Sequence, residues 1–373
     1  MDKFTRKSSF KQWISPIDFK KISQQVKILN LDYYTKKLDT CAFIKLLLYS
    51  QLFETESLRA VSDSVFSEKL QKTLGFDSIS YSQLSRKLSD VPTQIFKDIF
   101  SQLLDQIQRE THFNQKRKIT TPLKIIDSST LPLNLHHYRW AKFRKTKSGV
   151  KLHLRLVHME DYDSYPDDFY LTNACENDQN HLELLVDDKE CMYVFDRGYV
   201  QYSRFDEMTD EGYFFVSRLR SNAVHRVIHD FGAGEQSSVI SDEMVVLGTT
   251  TNRTEHYFRR VTVQDEKGKN LVLVTNRFDL SPEEISEIYK SRWAIELFFK
   301  WIKQHLNVKT FYGCSETAVS NQVYIALIVY CLNMLIKLKN NSRKSILQIT
   351  RLLKASIWSK GHHLIRRIRE PIP

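Results

Sequence analysis

MYVFDRGYVQYSRFDEMTDEGYFFVSRL, residues 192–219, decides the fold. Its start, MYVFD, sets four apolar residues before an acid, and residues 212–219 (GYFFVSRL) are again rich in aromatic and β-branched side chains. Both predict buried strands, and the polar residues 203–210 between them predict a helix. A strand, a helix and a strand in succession are the unit of an α/β sheet.

Working outward, residues 123–127 (LKIID), 150–157 (VKLHLRLV) and 168–171 also predict strands, and residues 178–188 predict a helix. Three strands, a helix, a strand, a helix and a strand is the order of a ribonuclease-H-like α/β sheet. Residues 221–280 interrupt it with short β segments at 244–247, 257–263 and 271–275, joined by turn residues, and predict a β-rich insertion. At residue 281, SPEE supplies an N-cap, a first-position proline and two acids in the first turn, opening a long helix to about residue 305. Residues 1–118 carry no strand pattern, only helical ones such as 38–53 and 91–107. Within them Ser57 caps LRAVSDSVF, a loop covers 74–78, and 80–88 (SYSQLSRKL) forms a short helix. That order predicts a helix-turn-helix presenting Tyr81, Ser82, Gln83 and Arg86; an ordinary helical bundle is the alternative. The expected division is a helical DNA-binding region at 1–118, an α/β catalytic domain at 119–220, the β insertion at 221–280, the rest of the catalytic domain with its long helix at 281–336, and a basic tail at 337–373.

Charge and cysteine content narrow the partners. The 373 residues carry 55 Lys and Arg against 44 Asp and Glu, a net +11 that suits a polyanion. Most of the excess lies in residues 337–373, where ten cations meet one acid, Glu370. Five scattered cysteines without a CxxC pair argue against a disulfide framework or zinc site and fit a reducing cytoplasm. The N-terminus, MDKFTRKSSFKQW, lacks the apolar stretch of a secretory signal. Residues 323–336 are apolar but too short to span a bilayer and contain Asn333, so a buried core helix is expected and no membrane partner.

Three places carry chemistry. Asp127 and Asp196 each end an apolar strand, the position at which functional groups gather in an open α/β sheet; singly, each also reads as a turn cap. In the long helix Tyr289, Arg292, Glu296 and Lys303 project within one 60° arc at 100° per residue. Ile295, Phe298, Phe299, Ile302 and Leu306 flank that arc on one side, and Trp293, Leu297 and Trp301 on the other, so the stripe is expected to line a cleft. The alternative is a solvated face with Arg292 and Glu296 as an (i, i+4) ion pair. His153, His158, His362 and His363 lack metal-ligand spacing and read as structural or phosphate-adjacent. Asp161, Asp163, Asp167 and Asp168 read as a strand-connecting turn.

The Tyr-x2-Arg-x3-Glu-x6-Lys spacing of Tyr289, Arg292, Glu296 and Lys303, the Asp196-x-Gly198-Tyr199 segment and Asp127 together resemble the DDE transposases of bacterial insertion sequences, specifically the IS4 family. The resemblance runs from about residue 124 to 303 and includes Trp140-Ala-Lys-Phe-Arg, Lys151-Leu-His and the β insertion. It implies that Asp127, Asp196 and Glu296 bind two Mg²⁺ ions, with Mn²⁺ able to substitute, and that Tyr289, Arg292 and Lys303 hold transposon-end DNA. Mg²⁺ takes oxygen ligands, and paired cations suit phosphodiester cleavage and transesterification. Relatives stack an aromatic of the insertion, notably a Trp, on a base flipped from a terminal hairpin; residues 221–280 hold no Trp, and Tyr257, Phe258 and Phe278 are candidates to substitute, though they read equally as core.

The expected function is therefore a transposase that binds terminal inverted repeats, frees a 3′-hydroxyl and joins it to target DNA, acting as a homodimer on DNA. Gln83 and Arg86 are assigned to base contact, and Arg366, Arg367 and Arg369 of the tail to phosphates. A ribonuclease-H-like nuclease that only hydrolyses and a catalytically silent DNA-binding protein are the competing readings.

Overall fold

The structure, a computed structural model, describes residues 8–114, 122–159, 164–232, 238–265, 267–305 and 311–370. Residues 115–118, Asp161, Asp163 and Leu306 lie outside them. The chain forms two compact units, one from residues 1–118, 132–142 and 301–373, the other from 119–131 and 143–300.

The second unit is built on a mixed sheet. Its strands are β1 (Leu123–Leu133), β2 (Lys142–Arg144), β3 (Lys147–His158), β4 (Ser164–Asn173), β5 (Met192–Phe195), β6 (Phe214–Arg218), β7 (His225–Asp230), β8 (Val239–Leu247), β9 (Phe258–Gln264) and β10 (Asn270–Thr275). They run in the order β2-β3-β1-β5-β6-β10-β9-β8-β7, with β4 on β3. β1, β5 and β6 are parallel, as a central position buried on both faces favours, and the remaining pairs with a described register are antiparallel. The segment expected as an insertion thus extends the same sheet, because β10 pairs with β6. Its Val245, Leu247 and Phe258 share a core with Phe195, Phe205 and Phe215. The expected helix at 178–188 is instead two 3-10 turns, Asp178–His181 and Glu183–Leu185; Asn177 caps the first through the Gln179 amide. Asp167 and Asp168 belong to β4 rather than to a turn, and Asp167 is neutralised by Arg155 at 2.8 Å and Lys124 at 3.5 Å.

The first unit is helical: α1 (Ser9–Trp13), α2 (Phe19–Ile28), α3 (Thr40–Leu52), α4 (Leu58–Ser64), α5 (Glu68–Leu74), α6 (Tyr81–Asp90), α7 (Thr93–Asn114), α11 (Glu316–Lys339), α12 (Ile346–Ser356) and α13 (Gly361–Arg369). α8 (Tyr202–Asp210) and α9 (Pro282–Lys290) belong to the sheet unit, and α10 (Trp293–His305) runs across the boundary between the units. α11 is long and apolar enough to cross a membrane by composition, yet it is buried among α3, α6, α7 and α12. Asn333 within it is satisfied: the Trp13 indole donates to its carbonyl at 2.9 Å, and its amide donates to Thr350 at 2.9 Å. Residues 337–370 are not a free tail, because α12 opens on a Ser345 capping box and α13 buries Leu364 and Ile368 while its arginines face outward.

Candidate active site and nucleic-acid interface

β1 and β5 run parallel with Ile126 opposite Phe195, so Asp127 and Asp196 occupy equivalent next positions on neighbouring strands. β1 continues to Leu133, but β5 ends at Phe195, and Asp127 stands where its partner leaves. The Ser128 amide donates to Asp127 Oδ1 at 2.8 Å, and the Ser128 hydroxyl donates to Asp178 Oδ1 at 2.6 Å. Lys151 Nζ lies 3.2 Å from the same Asp178 oxygen. Sequence spacing gives no signal for Asp178, which reaches Asp127's neighbour across 50 residues. Burial pushes the Asp127 carboxyl up to about 6; Asp196 and Asp178 add to the rise, while the Ser128 amide and Arg292 oppose it.

Glu296 arrives from the helix. The stretch expected as one helix is two, α9 and α10, because Ser291 turns its hydroxyl back to the Ile288 carbonyl at 2.6 Å and the backbone tightens to i→i−3 bonds at Arg292, Ala294 and Ile295. Tyr289 closes α9 and donates its hydroxyl to Asp196 Oδ1 at 3.1 Å. Arg292 spans two of the acids, with Nη2 at 2.5 Å from Glu296 Oε1 and Nη1 at 3.7 Å from Asp127 Oδ2. Burial works to lower the Arg292 pKa, but Tyr289, Glu296 and Asp196 raise it on balance, so the guanidinium stays charged. The (i, i+4) pair of the alternative reading does exist, but Arg292 is buried to 16% exposure and serves Asp127 as well. One flank of the stripe, Ile295, Phe298 and Phe299, is buried; Trp293 and Leu297 on the other are 60% and 50% exposed, so the stripe is open on that side. Lys303 is exposed near the far end of α10.

Oxygen donors without imidazole or thiolate suit a hard divalent cation, and the partly buried, mutually repelling carboxyls of Asp127 and Asp196 fit one chemically. Among the described residues no three His, Cys, Asp or Glu side chains already form a ligand set; Arg292 holds Glu296 and neighbours Asp127. His153 is neutral, its pKa lowered to about 4 by burial and by the neighbouring His181, and it bonds Thr172 at 2.9 Å. A cleft of about 940 Å³ opens beside the Arg197–Tyr199 turn, lined by Arg197, Arg220 and Arg253 among others. Of the aromatics considered for stacking, Phe258 is core, whereas Tyr257 and Phe278 are 53% and 43% exposed.

In the helical unit, Gly75 ends α5 at φ +87, a conformation open to glycine, and α6 follows from its Ser80 cap. Leu84 and Leu88 are buried, and Asn321 donates to the Leu88 and Val91 carbonyls, fixing the end of the helix. Arg86 is exposed. Gln83 is exposed too, but its carbonyl accepts from the Ser80 amide at 3.2 Å in a capping box, so it also holds the helix start.

The family described as "Transposase DDE domain" matches residues 119–332, more than half of the chain and all the residues just described around Asp127, Asp196 and Glu296. The chain belongs to the DDE transposases of insertion sequences. It is 32% identical over 265 residues, 69% of this chain and 67% of the relative, to a probable transposase for insertion sequence element IS5377 from Geobacillus stearothermophilus. It is 31% identical over 287 residues, 76% of this chain and 78% of the relative, to putative transposase y4zB from Sinorhizobium fredii. A cryo-EM structure of the piggyBac transposase synaptic complex with hairpin DNA aligns over 99% of this chain and 81% of that chain at TM-score 0.46 and 13% identity. Residues 5–77 match a domain of unknown function, DUF4372. The protein is thus a DNA transposase, and its DDE family implies metal-dependent DNA cleavage and transfer.

Proposed function

We propose that this transposase cleaves the ends of its own element and joins the freed 3′-hydroxyl to target DNA at a ribonuclease-H-like site made by Asp127, Asp196 and Glu296. The observation that carries the reading is Arg292: one guanidinium reaches Asp127 from β1 and Glu296 from α10, while Tyr289, three residues earlier, holds Asp196. Acids distant in sequence are gathered round two residues of one motif. The three carboxylates would hold Mg²⁺, two ions on the family pattern, with Mn²⁺ as substitute; such ions supply Lewis-acid activation of the attacking and leaving oxygens. Tyr289 orients Asp196, and Arg292 offsets part of the charge of its two acids and offers a planar pair of donors to a phosphate. Lys303 supplies a further point charge for end DNA, and a homodimer brings two ends together.

The test is a supercoiled target incubated with a labelled duplex of the element's end, in Mg²⁺, Mn²⁺ and EDTA. Label joined covalently to target in metal only is expected. Hydrolysis products without joining would leave a nuclease, and neither product would leave a silent binding protein.

Residues 1–118 would recognise the ends through α6. Arg86→Ala is expected to cost about 1–3 kcal/mol on the end duplex and little on a scrambled one, measured by gel shift. Gln83→Ala should also lower the melting temperature slightly, since the reciprocal half of the capping box is lost while the Ser80 cap stays. Equal losses on both duplexes from Arg86→Ala would reduce α6 to a bundle helix.

On α13, the exposed Arg366 pairs with Glu370 at 3.3 Å and Arg369 donates to Asn340 at 3.0 Å, so these two have partners within the fold that a phosphate would have to displace. Replacing Arg366, Arg367 and Arg369 together by Gln should lower the slope of log affinity against log salt by less than the about 2.7 that three phosphate contacts would give. A slope unchanged in the folded triple variant would take α13 out of the DNA interface.

A further inference from the structure

The segment between α2 and α3 presents a surface that α6 alone does not explain. Tyr33 and Tyr34 are 71% and 90% exposed, their rings meeting edge to face at 4.5 Å and 78°. Lys36 and Lys37 follow and are exposed as well. These four side chains face a cleft of about 710 Å³ whose other wall is α6, with Arg86 and Lys87. Four cations line it with one acid, Asp90; Lys37 and Lys87 are paired with Asp77 and Asp32, and Lys36 and Arg86 face the cleft as well.

The segment is anchored. Asp32 accepts from the Thr40 amide at 2.9 Å and the Thr40 hydroxyl at 2.8 Å, which ties it to the start of α3. The same carboxylate pairs with Lys87 of α6 at 2.5 Å, with both side chains largely buried. Lys37 lies 3.3 Å from Asp77, just before α6. Asn30 takes a positive φ of 50° to turn the chain out of α2. Tyr33, Tyr34 and Lys36 are therefore held beside Arg86 by a buried ion pair, while no described group pairs with the Lys36 ammonium.

Two exposed tyrosines on an anchored loop expose apolar ring surface for which the fold offers no cover. What they offer a ligand is two hydroxyl donors at the rim of a basic cleft, the donor set that contacts phosphate and sugar rather than base edges. Perpendicular rings make no parallel platform for successive bases, which sets the site apart from single-strand binders. We infer that residues 30–38 form a phosphate clamp that grips the backbone of duplex DNA beside the bases facing α6. The inference rests on the reading of α6 as the DNA-facing helix, and it gives a role to part of the DUF4372 segment.

The experiment uses the full chain and three probes: a duplex of the element's end, a scrambled duplex of equal length and composition, and the corresponding single strand. Affinity is measured from 50 to 200 mM salt for wild type, Lys36→Gln, the double variant Tyr33→Ala/Tyr34→Ala, and Arg86→Ala, with thermal melting to confirm folding. Lys36→Gln is expected to reduce the salt slope on duplex by about 0.9, so that affinity changes about threefold less over that range than in wild type. Lys36→Gln and the tyrosine double variant should each weaken both duplexes by the same factor, whereas Arg86→Ala weakens the end duplex more. Wild-type affinity and slope in both loop variants, with Arg86→Ala still selective, would overturn the clamp and leave α6 standing. Altered slopes in the loop variants with Arg86→Ala silent would overturn the α6 reading instead. Losses confined to the single strand would make the site a base-stacking one and overturn the clamp.

Discussion

Asp127→Ala, Asp196→Ala and Glu296→Gln are each expected to remove end cleavage while leaving binding to the end duplex intact. Groups one step removed from a metal already cost about 10–100-fold when lost, so replacing a carboxylate that itself holds the ion should cost more than about 100-fold. The losses should not add, because each variant disables the same unit. Binding survives because the proposed DNA-reading residues lie on α6. Purified variants would be compared in Mg²⁺, with EDTA-treated wild type as the floor. One variant cleaving at near wild-type rate would strike that residue from the site. Glu296→Gln has a further reading: the amide keeps the size of the side chain but leaves Arg292 with a weakened partner at one of its two contacts.

The second large effect is on stability, and its sign follows from the Asp127 carboxyl. Folding raises it from the ordinary 3.8 to about 6, chiefly by burial. Between those values the folded chain binds more protons than the unfolded one, so stability falls as pH rises through the window and the full cost is present above it. A rise of about two units corresponds to at most about 3 kcal/mol at neutral pH. Asp127→Asn keeps an acceptor for the Ser128 amide and cannot ionise. The metal-free variant should therefore be more stable than wild type at pH 7.5, with the gap closing by pH 4. Urea unfolding in EDTA across that range checks it, and equal stability of the two proteins at both ends would show that burial does not penalise this carboxylate.

How much could be read from residues alone depended on whether the signal was local. LKIID and MYVFD announce two strands because short runs in which three or all of four residues are apolar and which end on an acid have few other uses, and Ile126 pairs in parallel with Phe195. SPEE marked the start of α9 because a capping box is a contact between residues three apart. The break at Ser291 was hidden, since a serine in a helical run shows no sign of whether its hydroxyl will bond back to Ile288. The 3-10 turn at Asp178–His181 reads as a helix in the sequence for a similar reason: Asp178 serves Ser128 and Lys151, partners on strands distant in sequence. Residues 337–373 looked like a tail because their charges dominate the composition, although every third or fourth residue of α13 is buried. Tyr33 and Tyr34 gave no warning, because exposure is a property of the fold.

The strands β7 to β9 also bear on what can be done to this molecule. They leave at β6 and return at β10, which lie side by side, so a designer looking at connectivity alone would excise residues 221–269 and rejoin the ends across one ladder. The side chains forbid it. Phe258 lies within 6.0 Å, centroid to centroid, of both Phe205 and Phe215, and Asp206 of α8 accepts the backbone amides of Glu255 and His256 at 3.0 and 2.9 Å. Removing the segment would take away part of the core under β5, the strand that leads to Asp196. Miniaturised versions of this transposase must keep that region, because its side chains complete the core under β5 and β6.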